Sequence, residues 1–251
     1  FRRVLFRSRS SGVVLTDVGL RLAEEVREGF EQIDRAVEGA SHARQETVTL
    51  WVSTSFAMLW LMPRLAAFKR EHPLIEVRCH TNDTDRGVGR DEADVWVPLG
   101  RGPWPGLHEQ KFCDETLIVV AAPSIARQWD GATDEQLLDA PLLHLEQRFR
   151  PRFDWNQWFE HFGVTPPKRL GGYSSSDYSL IIQAAMEGHG LAIGWLHLVQ
   201  DLIAEGRLQQ VGTGSVATDH PITVLTRSER TGPATAAFVE WLLATAPGRP
   251  T

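Results

Sequence analysis

A chain of 251 residues with 42% apolar side chains is long enough to bury a core in one or two domains, and two lobes are the expectation. Its 26 basic and 32 acidic residues leave a net charge of −6, which excludes a surface built mainly for nucleic acid and confines any DNA contact to a local patch or another domain. No apolar run approaches the roughly 20 residues of a membrane helix and no charged-then-apolar leader opens the chain, so a soluble cytoplasmic protein without membrane contact is expected.

The chain begins at Phe1 rather than methionine, with Arg2, Arg3, Arg7 and Arg9 close behind. This start reads as a truncation, with part of 1–8 a solvated basic tail or a non-native addition. From Thr16 to about Ala43, Leu22, Val26, Phe30, Ile33 and Val37 step by four, four, three and four, while Glu24, Glu25, Arg27, Glu28, Glu31 and Asp34 fill the other faces. That pattern predicts a long helix with a coiled-coil-like stripe, which a second subunit or the chain's own domain would cover.

Val48, Leu50 and Val52 alternate with Thr49, Trp51 and Ser53, the period of a strand, and Ala57, Leu61, Leu65 and Phe68 then recur at helical spacing. The change of period falls on Ser53, Thr54 and Ser55. Hydroxyls there serve as N-caps or, with the free N–H groups of a helix start, as acceptors and donors for a ligand. Pro63 is expected to begin the regular helix or kink it, because it lacks a donor. Strands follow at Ile75 to Cys79, Asp94 to Pro98 and Leu117 to Ala122, which are α/β signals. Cys79 and Cys113, the two cysteines, lack metal spacing and read as buried free thiols.

Pro123 and Ser124 open a helix-like SIARQW segment, and the first crossing between lobes is placed here. Pro141 to Leu145 reads as a strand. In EQRFRPRFDWNQWFEHFG the aromatics Trp155, Trp158, Phe159 and Phe162 have helical spacing and read as core, whereas Arg148, Arg150 and Arg152 read as a solvated loop or an anion contact. Ser174, Ser175, Ser176 and Asp177 precede a helix carrying Leu180, Ile181, Ala184 and Ala185, which ends at Gly188 and Gly190 before the strand Leu191 to Trp195. This repeats the logic of Ser53 to Ser55, so two hydroxyl-rich helix starts would face each other across a cleft. Ile222 to Thr226 is a strand, and Ala234 to Ala246 a helix expected to return to the first lobe.

Four motifs, in order, resemble the LysR-type transcriptional regulators, in their glycine-cleavage-activator-like branch. Leu5-Phe6 with Leu15-Thr16 and Gly19 is similar to the family's LF…LTxxG at the wing and linker helix, with the usual arginine displaced. SFAMLWLMPRLAAFKREHPLIEV resembles SFaxxWLxPRLxxFxxxHPxIxV, ADVWVPLGRGPWPGL resembles vDlaiRyGxGxWPGL, and IIQAAMEGHGLAIG resembles xxqaAxxGxGiAlg. The resemblance covers essentially the whole chain.

It implies an α/β, two-lobed periplasmic-binding-protein-like (type 2) effector module behind a linker helix. The implied domains are a remnant of the winged-helix DNA-binding domain at 1–15, a linker and dimerisation helix at 16–46, lobe 1 at 47–122 and 228–251, and lobe 2 at 123–227. It also implies a homodimer or homotetramer, promoter DNA bound through the missing N-terminal domain, no cofactor, and a small-molecule effector between the lobes. Carried over by position, the effector residues are Ser53, Thr54, Ser55, Thr81, Asn82, Ser176 and Asp177, with Gly100 and Trp195 lining the cleft. Two departures bear on the ligand: Pro98 replaces a small or polar residue, and Asp177 would repel a carboxylate. The arginines suggest an anionic group and Trp155 and Trp195 a methylammonium. An amino-acid-like or betaine-like zwitterion satisfies both.

The alternative is a solute-binding protein of a transport system, which shares the module but lacks a pairing helix before its first strand. An enzyme is not expected. The nine histidines show no HxxxH or HExxH spacing, and GxSxG and phosphate-loop patterns are missing.

Overall fold

The computed structural model describes residues 5–9, 12–23, 25–27, 29, 46–84, 88, 93–100, 102–146, 153–227 and 231–248. The chain divides into two compact units, Phe1–Glu46 and Thr47–Thr251.

In the first unit β1 (Phe6–Arg9) and β2 (Gly12–Leu15) form an antiparallel hairpin, with Phe6 opposite Leu15. Residues 17–23 and 25–27 are helical and form α1. The Thr16 N–H donates to the Leu5 carbonyl at 3.0 Å, and the Gly19 N–H donates to Thr16 Oγ1 at 3.1 Å. A Cβ at Gly19 would stand 2.2 Å from the Leu5 oxygen. The LTxxG spacing therefore has a local cause: threonine caps the helix, and the glycine admits the backbone that precedes the hairpin. Leu22 and Val26 of the predicted stripe are exposed. Phe30, Ile33 and Val37 lie outside the described residues.

The second unit holds two five-stranded mixed sheets. One has the order β4-β3-β5-β12-β6, built from β3 (Glu46–Val52), β4 (Ile75–Thr81), β5 (Val95–Val97), β6 (Leu107–Cys113) and β12 (Ile222–Arg227). The other has the order β11-β7-β10-β8-β9, built from β7 (Thr116–Ala121), β8 (Leu142–Leu145), β9 (Tyr173–Ser175), β10 (Leu191–Trp195) and β11 (Gln209–Ala217). The expected lobe boundaries shift accordingly. Leu117 to Ala121 pairs with β10 and β11 in the second sheet, and Ile222 to Arg227 lies between β5 and β6 in the first. The chain thus crosses at 114–115 and again at 218–221, not beyond Ala122 and Arg227. An apolar strand looks the same in either sheet, so its pattern could not place the crossing.

After β3 the chain turns through α2 (Thr54–Phe56) and a π-helical turn (Ala57–Leu61) into α3 (Met62–Glu71). Pro63 stands in the first turn of α3, where a missing N–H costs nothing, and the wide turn just before it joins the two helical pieces. Trp60 packs on Phe56 and edge-on to Phe112, with ring centroids 5.0 and 4.9 Å away. The C-terminal helix α8 (Pro233–Ala244) returns to this lobe as expected: Phe238 and Trp241 lie 5.1 and 5.0 Å from Phe68. Between them in sequence come α4 (Pro123–Ala126), α5 (Trp155–His161), α6 (Tyr178–Met186) and α7 (Leu196–Ala204).

Trp155, Trp158 and Phe159 are buried core residues, and Phe162 packs against them, as their spacing predicts. Cys113 is a buried free thiol, and burial pushes it up to about 12, whereas Cys79 is half-buried rather than buried. The strands β6, β9 and β11 and the helix α7 escape the sequence patterns. All three strands lie at or beside sheet margins with exposed residues, which weakens the alternation.

The two lobes also meet through side chains. Arg64 of α3 holds Asp201 of α7 in a two-pronged ion pair, with N···O distances of 2.6 and 2.9 Å, and its guanidinium lies 4.9 Å from the Trp60 ring centre. Replacing the fully buried Trp60 by alanine is expected to remove about 3–5 kcal/mol of stability, read from urea unfolding of the variant.

Candidate functional site

A cavity of about 490 Å³ opens between the two sheets, a size typical of small-molecule sites. The first lobe supplies Ser53, Ser55 and Phe56, and the loop after β5 supplies Pro98, Leu99 and Gly100. The second lobe supplies Phe153, Gln157, Tyr178, Trp195, His197 and Leu198, and the crossings supply Glu115, Thr218, His220 and Pro221.

Ser53 and Ser55 are buried, and their hydroxyl oxygens lie 3.1 Å apart. The Phe56 N–H donates to Ser53 Oγ at 3.1 Å, so Ser53 both caps the helix and lines the cavity. Thr54 sits elsewhere: its N–H and hydroxyl donate to the Asp83 carboxylate at 3.1 and 2.8 Å, outside the lining. Thr81 ends β4 on the surface, and Asn82 folds its carbonyl oxygen back onto the Thr84 N–H at 2.9 Å. Ser176 is exposed, and Asp177 caps α6 by accepting from the Ser179 N–H at 2.7 Å. Of the nine residues expected to bind a ligand, Ser53, Ser55, Gly100 and Trp195 come together around the cavity. Thr54, Thr81, Asn82, Ser176 and Asp177 do not line it. Arg148, Arg150 and Arg152 lie outside the described residues.

Sequence patterns missed the floor of the site. Glu115 Oε1 accepts the Trp195 indole N–H at 2.7 Å, while Oε2 accepts the Thr218 hydroxyl, and the Thr218 N–H donates to the Glu115 carbonyl at 3.0 Å. One carboxylate thus ties both crossings to the second lobe. Tyr178 packs edge-on against Trp195 at 4.9 Å; its hydroxyl donates to the Ile193 carbonyl and accepts from the Trp195 N–H. His197, in the first turn of α7, is buried with Nδ1 lacking a protein partner, and burial drives its basicity down to about 3. It is therefore a neutral ring bordering the cavity. Glu115 and Thr218 were legible only as ordinary loop residues, and His197 only as one of nine scattered histidines. Among the described residues no group of His, Cys, Asp and Glu could hold a metal ion.

Two mixed sheets joined by a double crossing around a cleft define a periplasmic-binding-protein-like (type 2) effector-binding module. The model for the LysR substrate binding domain matches residues 41–247, and the chain belongs to that family. It is 32% identical over 207 residues to the HTH-type transcriptional activator AmpR of Rhodobacter capsulatus, covering 82% of this chain and 69% of the relative. It is 31% identical over 206 residues to the glycine cleavage system transcriptional activator of Escherichia coli strain K12, covering 81% and 66%. The chain thus spans about two thirds of the length of these curated relatives. The AmpR effector binding domain from Citrobacter freundii superposes with a TM-score of 0.65 at 26% identity, covering 80% of this chain and 98% of that one. The relatives bear the names of transcriptional regulators, not enzymes, and nothing supports the transport-protein alternative.

The His197 ring fixes a pH dependence. It takes up a proton near pH 3 when folded but near 6.5 when unfolded, so between those values the unfolded chain binds more protons. Its contribution is complete above pH 6.5 and fades at about 1.4 kcal/mol per pH unit as pH falls through that window. The difference in urea stability between the wild type and His197→Phe should therefore shrink from about pH 6.5 to 5, above the usual carboxylate range. Parallel curves for the two proteins would show that the ring is not held neutral.

Proposed function

We propose that this chain is the effector-binding and oligomerisation portion of a LysR-type DNA-binding transcriptional regulator, in which a small metabolite bound between the two lobes modulates transcription. The observation that carries this reading is the cavity of about 490 Å³ with walls drawn from both sheets and both crossings. The names of the relatives, two transcriptional activators, support it. Promoter DNA is bound through an N-terminal winged-helix domain, of which 1–15 is a remnant. The regulator acts in the cytoplasm without catalysing a reaction; no helix among the described residues is long and apolar enough to cross a membrane.

The effector touches Ser53, Ser55, Gly100 and Trp195. Thr54, Thr81, Asn82, Ser176 and Asp177 shape the loops and helix starts around them. A homodimer or homotetramer is supported by exposed Val18, Leu20, Leu22 and Val26 in the linker helix and by exposed Met58 and Met62 in the π turn and at the start of α3. The effector works by population shift: it favours the lobe geometry to which it binds more tightly, and the linker helices carry that change to the DNA-binding domains. An amino-acid-like or betaine-like zwitterion suits an aromatic wall beside a carboxylate.

A thermal-shift screen of the chain against small metabolites, with hits retested on Ser55→Ala, checks the reading. Hits should raise the unfolding midpoint and lose about tenfold in affinity in the variant, equivalent to about 1.4 kcal/mol. Shifts that Ser55→Ala and Gly100→Val both leave untouched would place the effector elsewhere.

A further inference from the structure

The wall of the cavity carries a charge bias. Among the described residues that line it, Glu115 is the single carboxylate, and there is no lysine or arginine. Each Glu115 oxygen accepts one hydrogen bond from a neutral donor, the Trp195 indole and the Thr218 hydroxyl, and no cation pairs with it among the described residues. A carboxylate oxygen accepts more than one bond, so the group keeps acceptor capacity and a charge that no cation among the described residues compensates. Phe56, Phe153, Tyr178 and Trp195 give aromatic surface to the same space.

Desolvating an unpaired carboxylate as the cleft closes is unfavourable, and a bound anion would increase that cost. A cation on the Trp195 face and beside Glu115 reverses the sign, adding a charge pair to an attraction to the ring. We propose that the effector carries a cationic ammonium group, in a cation or a zwitterion, which docks between the Glu115 carboxylate and the Trp195 ring. This rests on the cleft being the effector site. Glu115 lies in one crossing and holds Thr218 in the other, so the docked cation acts at the pivot of the two lobes. Closure is favoured only by ligands that neutralise this pivot.

The test uses the full chain titrated with choline, glycine betaine and the neutral carbon isostere 3,3-dimethylbutan-1-ol, followed by thermal midpoint and tryptophan fluorescence. The expected result is that at least one of the two ammonium compounds binds about tenfold more tightly than the alcohol. Glu115→Gln, which retains groups able to bond Trp195 and Thr218, should erase that preference. Equal binding of ammonium compound and alcohol, a preference surviving in Glu115→Gln, or no binding of either ammonium compound at millimolar concentration overturns the proposal. Succinate and sulfate form a second arm, read on the wild type and on the cavity-filling variants Ser55→Trp and Leu198→Trp. Tight anion binding that the filled cavities abolish would overturn the cationic assignment while sparing the cleft. Binding of any probe that both filled cavities leave intact would overturn the cleft itself.

Discussion

The two sheets are joined covalently at two short crossings, and the Glu115 carboxylate bonds across both. Its two partners come from different places: Thr218 belongs to the other crossing, and Trp195 ends a central strand of the second sheet. A charged acceptor makes stronger hydrogen bonds than a neutral one, so this knot binds the two crossings to each other and to the second sheet. The cavity lies between residues that follow β3 and residues at the end of β10. Its polar floor and its hinge are the same residues.

The Arg64 to Asp201 pair bridges the lobes away from the crossings. Two prongs and a guanidinium over Trp60 give it geometry that a simple surface pair lacks, though both side chains remain partly wet. Among the described residues the lobes are therefore joined by the two crossings, by this ion pair and by buried apolar residues of both lobes that share one core cluster.

Periodicity marked most strands with a strong apolar face and both instructive helix starts. It placed the aromatic core of the second lobe, the return of the C-terminal helix and the break near Pro63. It could not assign β7 and β12 to sheets, because pairing partners are set by topology, not by the apolarity of one strand. The site was half legible for a related reason. Ser53, Ser55, Gly100 and Trp195 carry motif signals and meet in space, but Thr54 points to Asp83, and Asp177 turns inward to cap its own helix. A hydroxyl or carboxylate at a helix start has a local use as well as a ligand use, and spacing does not separate them. Glu115 and His197 had no signal at all, since the role of Glu115 arises from a partner 80 residues distant in sequence and the state of His197 from burial.

The double duty of Ser53 bears on how such a cleft can diversify. Its hydroxyl caps a helix as well as facing the cavity, so altering it changes folding and recognition together. The Ser55 hydroxyl bonds that of Ser53 and caps nothing, and Gly100 lies on a loop. New ligand preferences can therefore be explored at 55 and 100 with little loss of scaffold integrity, whereas position 53 is pleiotropic and slow to change.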